Sequence, residues 1–184
     1  MACDEVMATG GCLGTTRPTA VAGSTAWAGY LAAAVGSAFA AVSLYWAAGG
    51  TAGLCTIGGP VEDLTRARDP QFIALLWATA VAKIIGAVLG LALVRPWGQR
   101  VPRRTLFAGA EAAAVLLTLY GAVQTGAVAL AATGFLDVEP IDPTVLRWRM
   151  FLWEPWFLVW GLLLGIAVRQ RRRRPIIERT PRCS

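Results

Sequence analysis

Charge is scarce in this chain of 184 residues: Asp, Glu, Lys and Arg together make up 15%, against about 25% in soluble domains. Hydrophobic residues reach 56% and the mean hydropathy is +0.55. That balance excludes a disordered chain, a collagen-like chain and an ordinary water-soluble enzyme. Histidine is absent, so His-based triads, His-containing zinc sites and haem held by His are excluded. The four cysteines, Cys3, Cys12, Cys55 and Cys183, form no CxxC pair, which leaves a thiol–disulfide oxidoreductase without its active pair. Neither GxxxxGK[ST] nor a Rossmann fingerprint occurs, so phosphate cradling has no support. The sequence offers no catalytic set, no metal cluster and no cofactor motif.

What the chain does have is long apolar runs. No charge falls between Arg17 and Glu62, and about 20 apolar residues in a helix cross a bilayer core. Four spans are predicted, at roughly 26–48, 71–94, 106–132 and 150–168. The first has no basic n-region, so it reads as an anchor rather than a cleaved signal. Residues 1–24, rich in Gly, Thr and Ala, read as a disordered tail. Residues 25–170 form the bundle and 171–184 a basic tail. No internal repeat stands out beyond a weak two-plus-two pattern.

Orientation follows from Lys/Arg in short loops. Arg17, the Arg95–Arg104 stretch and the C-terminal tail hold twelve arginines on one side, whereas Arg66, Arg68, Arg147 and Arg149 lie on the other. The expectation is an all-α, integral-membrane four-helix bundle with both termini cytoplasmic. Its setting would be a bacterial inner membrane. Arg169, Arg171, Arg172, Arg173 and Arg174 would meet anionic lipid headgroups at the cytoplasmic face. A nucleic-acid partner is disfavoured because the basic excess flanks hydrophobic runs. A homo-oligomer remains open.

Small residues let helices approach closely in lipid. Every fourth residue gives Thr25, Gly29, Ala33, Ser37 and Ala41 in the first span and Ala78, Ala82, Gly86 and Gly90 in the second. The third gives Ala110, Ala114, Thr118, Ala122 and Gly126, and the fourth Gly161 and Gly165.

Charges inside the spans are the candidate site. Lys83 sits near the middle of the second span, where a charge costs about 2.5–3.5 kcal/mol on insertion scales. It shares a face with Thr79, Gly86, Ala87 and Gly90 and should point into the bundle. Glu154 and Glu111 are its available partners. Helical side chains lean towards their own N-terminus, which favours Glu154 over Glu111. Glu154 precedes Pro155, so the fourth helix either kinks or begins there. Trp148, Trp153, Trp156 and Trp160 surround that point, either as an interfacial aromatic belt or as the wall of a pocket. The glycine-rich outer loop Gly49–Pro70 reads as a compact cap with a short helix from Pro60, its first turn acidic at Glu62. Candidate ligand-binding residues are therefore Lys83, Glu154, Glu111, Trp153, Trp156 and Glu62. The leading reading is a binding or accessory protein with an outward-facing pocket. The rivals are a small oligomeric transporter using Lys83 and Glu154, and a lipid-modifying enzyme.

Three stretches also resemble a known pattern: Tyr45–Pro70 (YWAAGGTAGLCTIGGPVEDLTRARDP), Leu93–Arg104 (LVRPWGQRVPRR) and Leu146–Gly165 (LRWRMFLWEPWFLVWGLLLG). Together they resemble a bacterial family of small four-helix membrane proteins classed only as a domain of unknown function. The resemblance spans roughly Ala26–Arg169. It implies the four-span architecture and brings no reaction, ligand or catalytic residue.

Overall fold

The computed structural model describes residues 26–133 and 142–173. The tail 1–24, Arg174 and the rest of the C-terminal tail lie outside the described residues. Those described are all-helical, with four helices long and apolar enough to cross a membrane. They are α1 (Trp27–Ala47), α4 (Pro70–Val94), α5 (Arg103–Ala132) and a fourth that runs from Pro143 to Arg172 as α6 (Pro143–Trp148), a π-helical turn (Arg149–Trp153) and α7 (Glu154–Arg172). Two short helices, α2 (Leu54–Ile57) and α3 (Gly59–Arg66), join α1 to α4.

Local chemistry sets the ends. The Asp69 carboxylate accepts from the Phe72 backbone N–H at 2.9 Å ahead of Pro70, which combines an N-cap with proline at the first helical position. Asp142 does the same before Pro143, accepting from Thr144 N and Val145 N. Arg95 is extended before Pro96, which stops α4. Gly49 takes φ +110°, and Gly49 N and Gly50 N donate back to Trp46 O and Tyr45 O. This Schellman closure needs the left-handed residue that glycine supplies. The same closure ends α3, but there Arg68 occupies the left-handed position at φ 55°. Its guanidinium donates to Ala47 O (3.1 Å) and Trp46 O (3.4 Å) at the end of α1. A cation at a helix C-terminus offsets the strain at Arg68.

The bundle is two antiparallel pairs. Helix α1 packs along α4, and α5 along α7. Gly90 lies against the α1 backbone at Gly29 and Ala33, while Gly161 and Gly121 bring α7 and α5 together. Trp160, almost fully buried, fills the gap between pairs. A Cβ on Gly36 or Gly86 would meet its ring at 2.5 or 2.7 Å. The Trp160 Nε1–H finds no acceptor among the described residues, a cost this packing carries. Arg171 donates to Ala92 O and Gly98 O. The start of α1 and the end of α7 therefore share one end with the Pro96–Gln99 turn, and α2, α3 and α6 occupy the other.

Two expectations change. The fourth helix starts at Pro143, not near Met150, and of the two alternatives at Pro155 a helix start is excluded, because helix runs on through it. Pro155 lacks an N–H, and the π-turn before it, with its i→i+5 register, accommodates the lost bond. The every-fourth-residue stripes also drift. Gly29, Ala33, Gly86 and Gly90 are buried, whereas Ser37, Ala41, Ala78 and Ala82 are exposed. Four residues advance about 400°, so a strict spacing of four turns off its face by about 40° per step. The buried face of α1 instead follows Gly29, Ala32, Gly36, Ala40 and Ser43.

Candidate functional site

Away from the arginine-rich end, the four long helices do not close fully. They surround a cavity of about 570 Å³, within the roughly 300–1,000 Å³ of small-molecule sites. Its walls come from α1 (Phe39, Val42, Ser43, Trp46), α4 (Phe72, Leu75, Leu76, Thr79, Lys83), α5 (Tyr120, Gln124) and the fourth helix (Arg149, Trp153, Glu154, Phe157). Ile57, Gly58, Pro60 and Val61 roof it.

The roof is tied down. Trp46 Nε1 donates to Ala52 O at 2.9 Å, and Trp153 Nε1 to Thr56 Oγ1 at 3.1 Å. Leu54 is fully buried against Trp46, Ala47 and Leu76. Gly58, at φ +60°, passes so close to Val145 that a Cβ would sit 2.9 Å from its Cγ1. The Gly49–Pro70 loop is thus a compact cap, with α3 starting at Gly59–Pro60 as the sequence implies.

Lys83 points into the bundle, but its partner is neither acid. Its Nζ donates to Ser43 Oγ at 2.6 Å and lies 5.2 Å from the Phe39 ring centroid and 5.8 Å from that of Phe157. No ion pair to Lys83 forms among the described residues. Glu154, 6% exposed, accepts from Arg149 Nε (3.1 Å) and Nη2 (2.9 Å) on one oxygen. The expected Lys83–Glu154 pair is therefore replaced by Arg149–Glu154. In an α-helix, residues five apart stand about 140° round the axis and do not face each other. The π-turn brings positions i and i+5 together, and α-helical periodicity gives no sign of that.

Lys83, Glu154 and Trp153 share the cavity. Trp156 stands behind its wall, stacked on Phe39 at 5.2 Å, with Nε1 donating to Val35 O. Glu111 is at the other end of the bundle, bridged to Arg172. Glu62 pairs with Arg66 on the cap surface at 2.8 Å and takes no part in the lining. Of the arginine cluster, Arg171 and Arg172 are engaged by the protein, Arg172 also lying over the Phe107 ring. Arg169 and Arg173 are exposed. Ser43 and Phe39 stand out by no motif in the sequence, and Arg68 and Arg149 enter there only as cations of one side. Ser43 could have been found as the polar residue on the buried face of α1.

The cavity can hold an apolar body and orient one polar group. Among the described residues it has one paired carboxylate, one paired guanidinium and one ammonium bonded only to a hydroxyl. Among the described residues no cluster of acids or cysteines suits a metal.

A family model described as "Protein of unknown function (DUF3995)" matches residues 36–164. This is well over half of the chain, and every cavity-lining residue falls within it. No curated protein and no solved structure matches the chain.

Proposed function

The chain belongs to this family of unknown function, DUF3995, and from that premise we propose that it is a multi-pass membrane protein that binds a ligand inside its helix bundle. Four helices long and apolar enough to span support the membrane setting. So do large apolar side chains left in the open on α4 and α5, such as Val81, Ile85, Leu116 and Val123, which a bilayer would cover.

Sidedness follows from the arginines. Arg95, Arg100, Arg103, Arg104, Arg169, Arg171, Arg172 and Arg173 gather at the end that carries both chain termini of the described bundle. Arg66, Arg68, Arg147 and Arg149 belong to the cap end. The positive-inside rule supports termini in the cytoplasm and the cap outside, and a bacterial inner membrane is the setting proposed. Arg169 and Arg173 would contact anionic headgroups, each worth about 1 kcal/mol near the surface.

The observation that carries the binding reading is the capped cavity. It is walled by all four long helices and contains a lysine at mid-helix depth. Buried ionisable groups in membrane segments are costly and mark function by default. The rival enzyme and transporter readings both draw on Glu154. Its bond to Arg149 weighs against a free acid/base role. Native mass spectrometry of the protein extracted in mild detergent tests the reading. A bound small molecule should survive extraction of the wild type and be lost in Thr79→Phe, which fills the cavity. Wild type and variant each appearing only at its ligand-free polypeptide mass would contradict it.

A further inference from the structure

The cavity carries an excess of positive charge. Glu154 is engaged by two donors of Arg149. Lys83 Nζ has three N–H donors, of which the neutral Ser43 hydroxyl takes one. The faces of Phe39 and Phe157 supply only weak further support. An ammonium with no counter-ion among the described residues, inside low-dielectric walls, favours a ligand with a single negative charge. Around it the surface is apolar and aromatic, formed chiefly by Leu76, Phe72, Trp46 and Trp153, which suits a hydrocarbon body.

The way in is sideways. At the arginine-rich end α4 and α5 meet, with Leu93 buried beside Leu106 and Ala110. Towards the cap they part. Leu75 on α4 and Tyr120 on α5 both line the cavity and are still 53% and 50% exposed. The cap closes the route from above, where Ile57 and Val61 lie. In a bilayer the gap between α4 and α5 faces acyl chains, so the ligand that reaches it is one already dissolved in lipid.

We propose that this cavity takes a single-chain, monoanionic amphiphile of the fatty-acid class, entering between α4 and α5, with its carboxylate on the Lys83 ammonium and its chain against the aromatic wall beneath the cap. The proposal rests on the ligand-binding reading above and adds the charge and class of the ligand.

Trp46 and Trp153 line the cavity, so occupancy is read as the quenching that disappears in Trp46→Phe/Trp153→Phe, because the exposed Trp27, Trp77, Trp97 and Trp148 meet probe dissolved in the lipid. The full chain is placed in zwitterionic lipid nanodiscs and titrated with 12-bromododecanoate, 12-bromododecanol or 12-bromododecyltrimethylammonium. The carboxylate should give saturable quenching with at least about tenfold higher affinity than the alcohol, the scale of a charge-assisted hydrogen bond. The ammonium compound should bind worst. Lys83→Met should bring the carboxylate down to the level of the alcohol, and Lys83→Arg should keep the preference. Equal saturable binding of acid and alcohol, unchanged in Lys83→Met, overturns the anion class and leaves the cavity reading intact. Preference for the ammonium compound overturns it in favour of Glu154 as the recognising group. If phosphatidylglycerol at equal mole fraction displaces the acid as well as unbrominated dodecanoate does, the single-chain assignment fails. If all three probes quench without saturation and Thr79→Phe behaves as wild type, the cavity reading fails as well.

Discussion

Replacing Glu154 by Gln removes the only carboxylate bonded to Arg149 among the described residues. Breaking a buried ion pair from one side typically costs about 3–5 kcal/mol, because the remaining charge stays buried and unpaired. Glu154 meets that condition, with its side chain 8% exposed, but the Arg149 side chain is 30% exposed and can still find solvent. The expected cost is therefore reduced to about 2–4 kcal/mol. Arg149→Met should cost at least as much, since it leaves the more deeply buried carboxylate alone. Together, Glu154→Gln and Arg149→Met should lose less than either change alone, because the desolvation of the pair is also relieved. A double-mutant cycle by denaturant or thermal unfolding in detergent reads the coupling. Lys83→Met combined with Glu154→Gln should be additive, since Lys83 bonds Ser43. Strong Lys83–Glu154 coupling with additive Arg149–Glu154 would refute the pairing and restore the partner that helix direction alone suggests.

Gly161→Ala should destabilise by about 1–3 kcal/mol, because its Cβ would come within 2.6 Å of Thr118 N. Gly126→Ala, with nothing within 4 Å, should be neutral or stabilise by up to about 1 kcal/mol in the same unfolding assay. Arg68→Ala should loosen the cap by freeing Ala47 O and Trp46 O, read as faster amide exchange at Gly49–Leu54. The Thr144 and Val145 backbone N–H groups hold the Asp142 carboxyl below its usual range. Its capping of α6 is therefore full above the ordinary carboxylate value and fades only as pH falls through the lowered one, and Asp142→Asn should remove that acid-limb dependence. Cys55, exposed on the cap, should react with an impermeant maleimide in spheroplasts while Cys183 does not. Labelling of Cys183 alone would reverse the topology.

The four long apolar helices were legible because uncharged runs of helix length leave few alternatives. Arg95–Pro96 marked the end of α4 within a residue or so. The start of the fourth helix was not legible from hydropathy, because Arg147 and Arg149 lie inside it. The signal present was Asp142–Pro143, an N-cap followed by proline. Lys83 was placed correctly in the bundle from its small-residue face, and the cap from its glycines and Pro60. The pairing was not legible. A π-turn rewrites which residues face each other, and neither the Arg149–Glu154 bond nor the Ser43 hydroxyl under Lys83 follows from a period of 3.6. The cavity itself arises from α4 and α5 diverging towards the cap, a property of packing between helices that the stripes along each one do not encode.

The most direct test of the account is an experimental density map of the protein purified from its membrane. Elongated density is expected beneath Ile57 and Val61, between Leu76 and Phe157, with a polar end within about 3 Å of Lys83 Nζ and Arg149 still on Glu154. A bundle closed over that space, with Lys83 bonded directly to Glu154 or Glu111 and no room for a ligand, would contradict it.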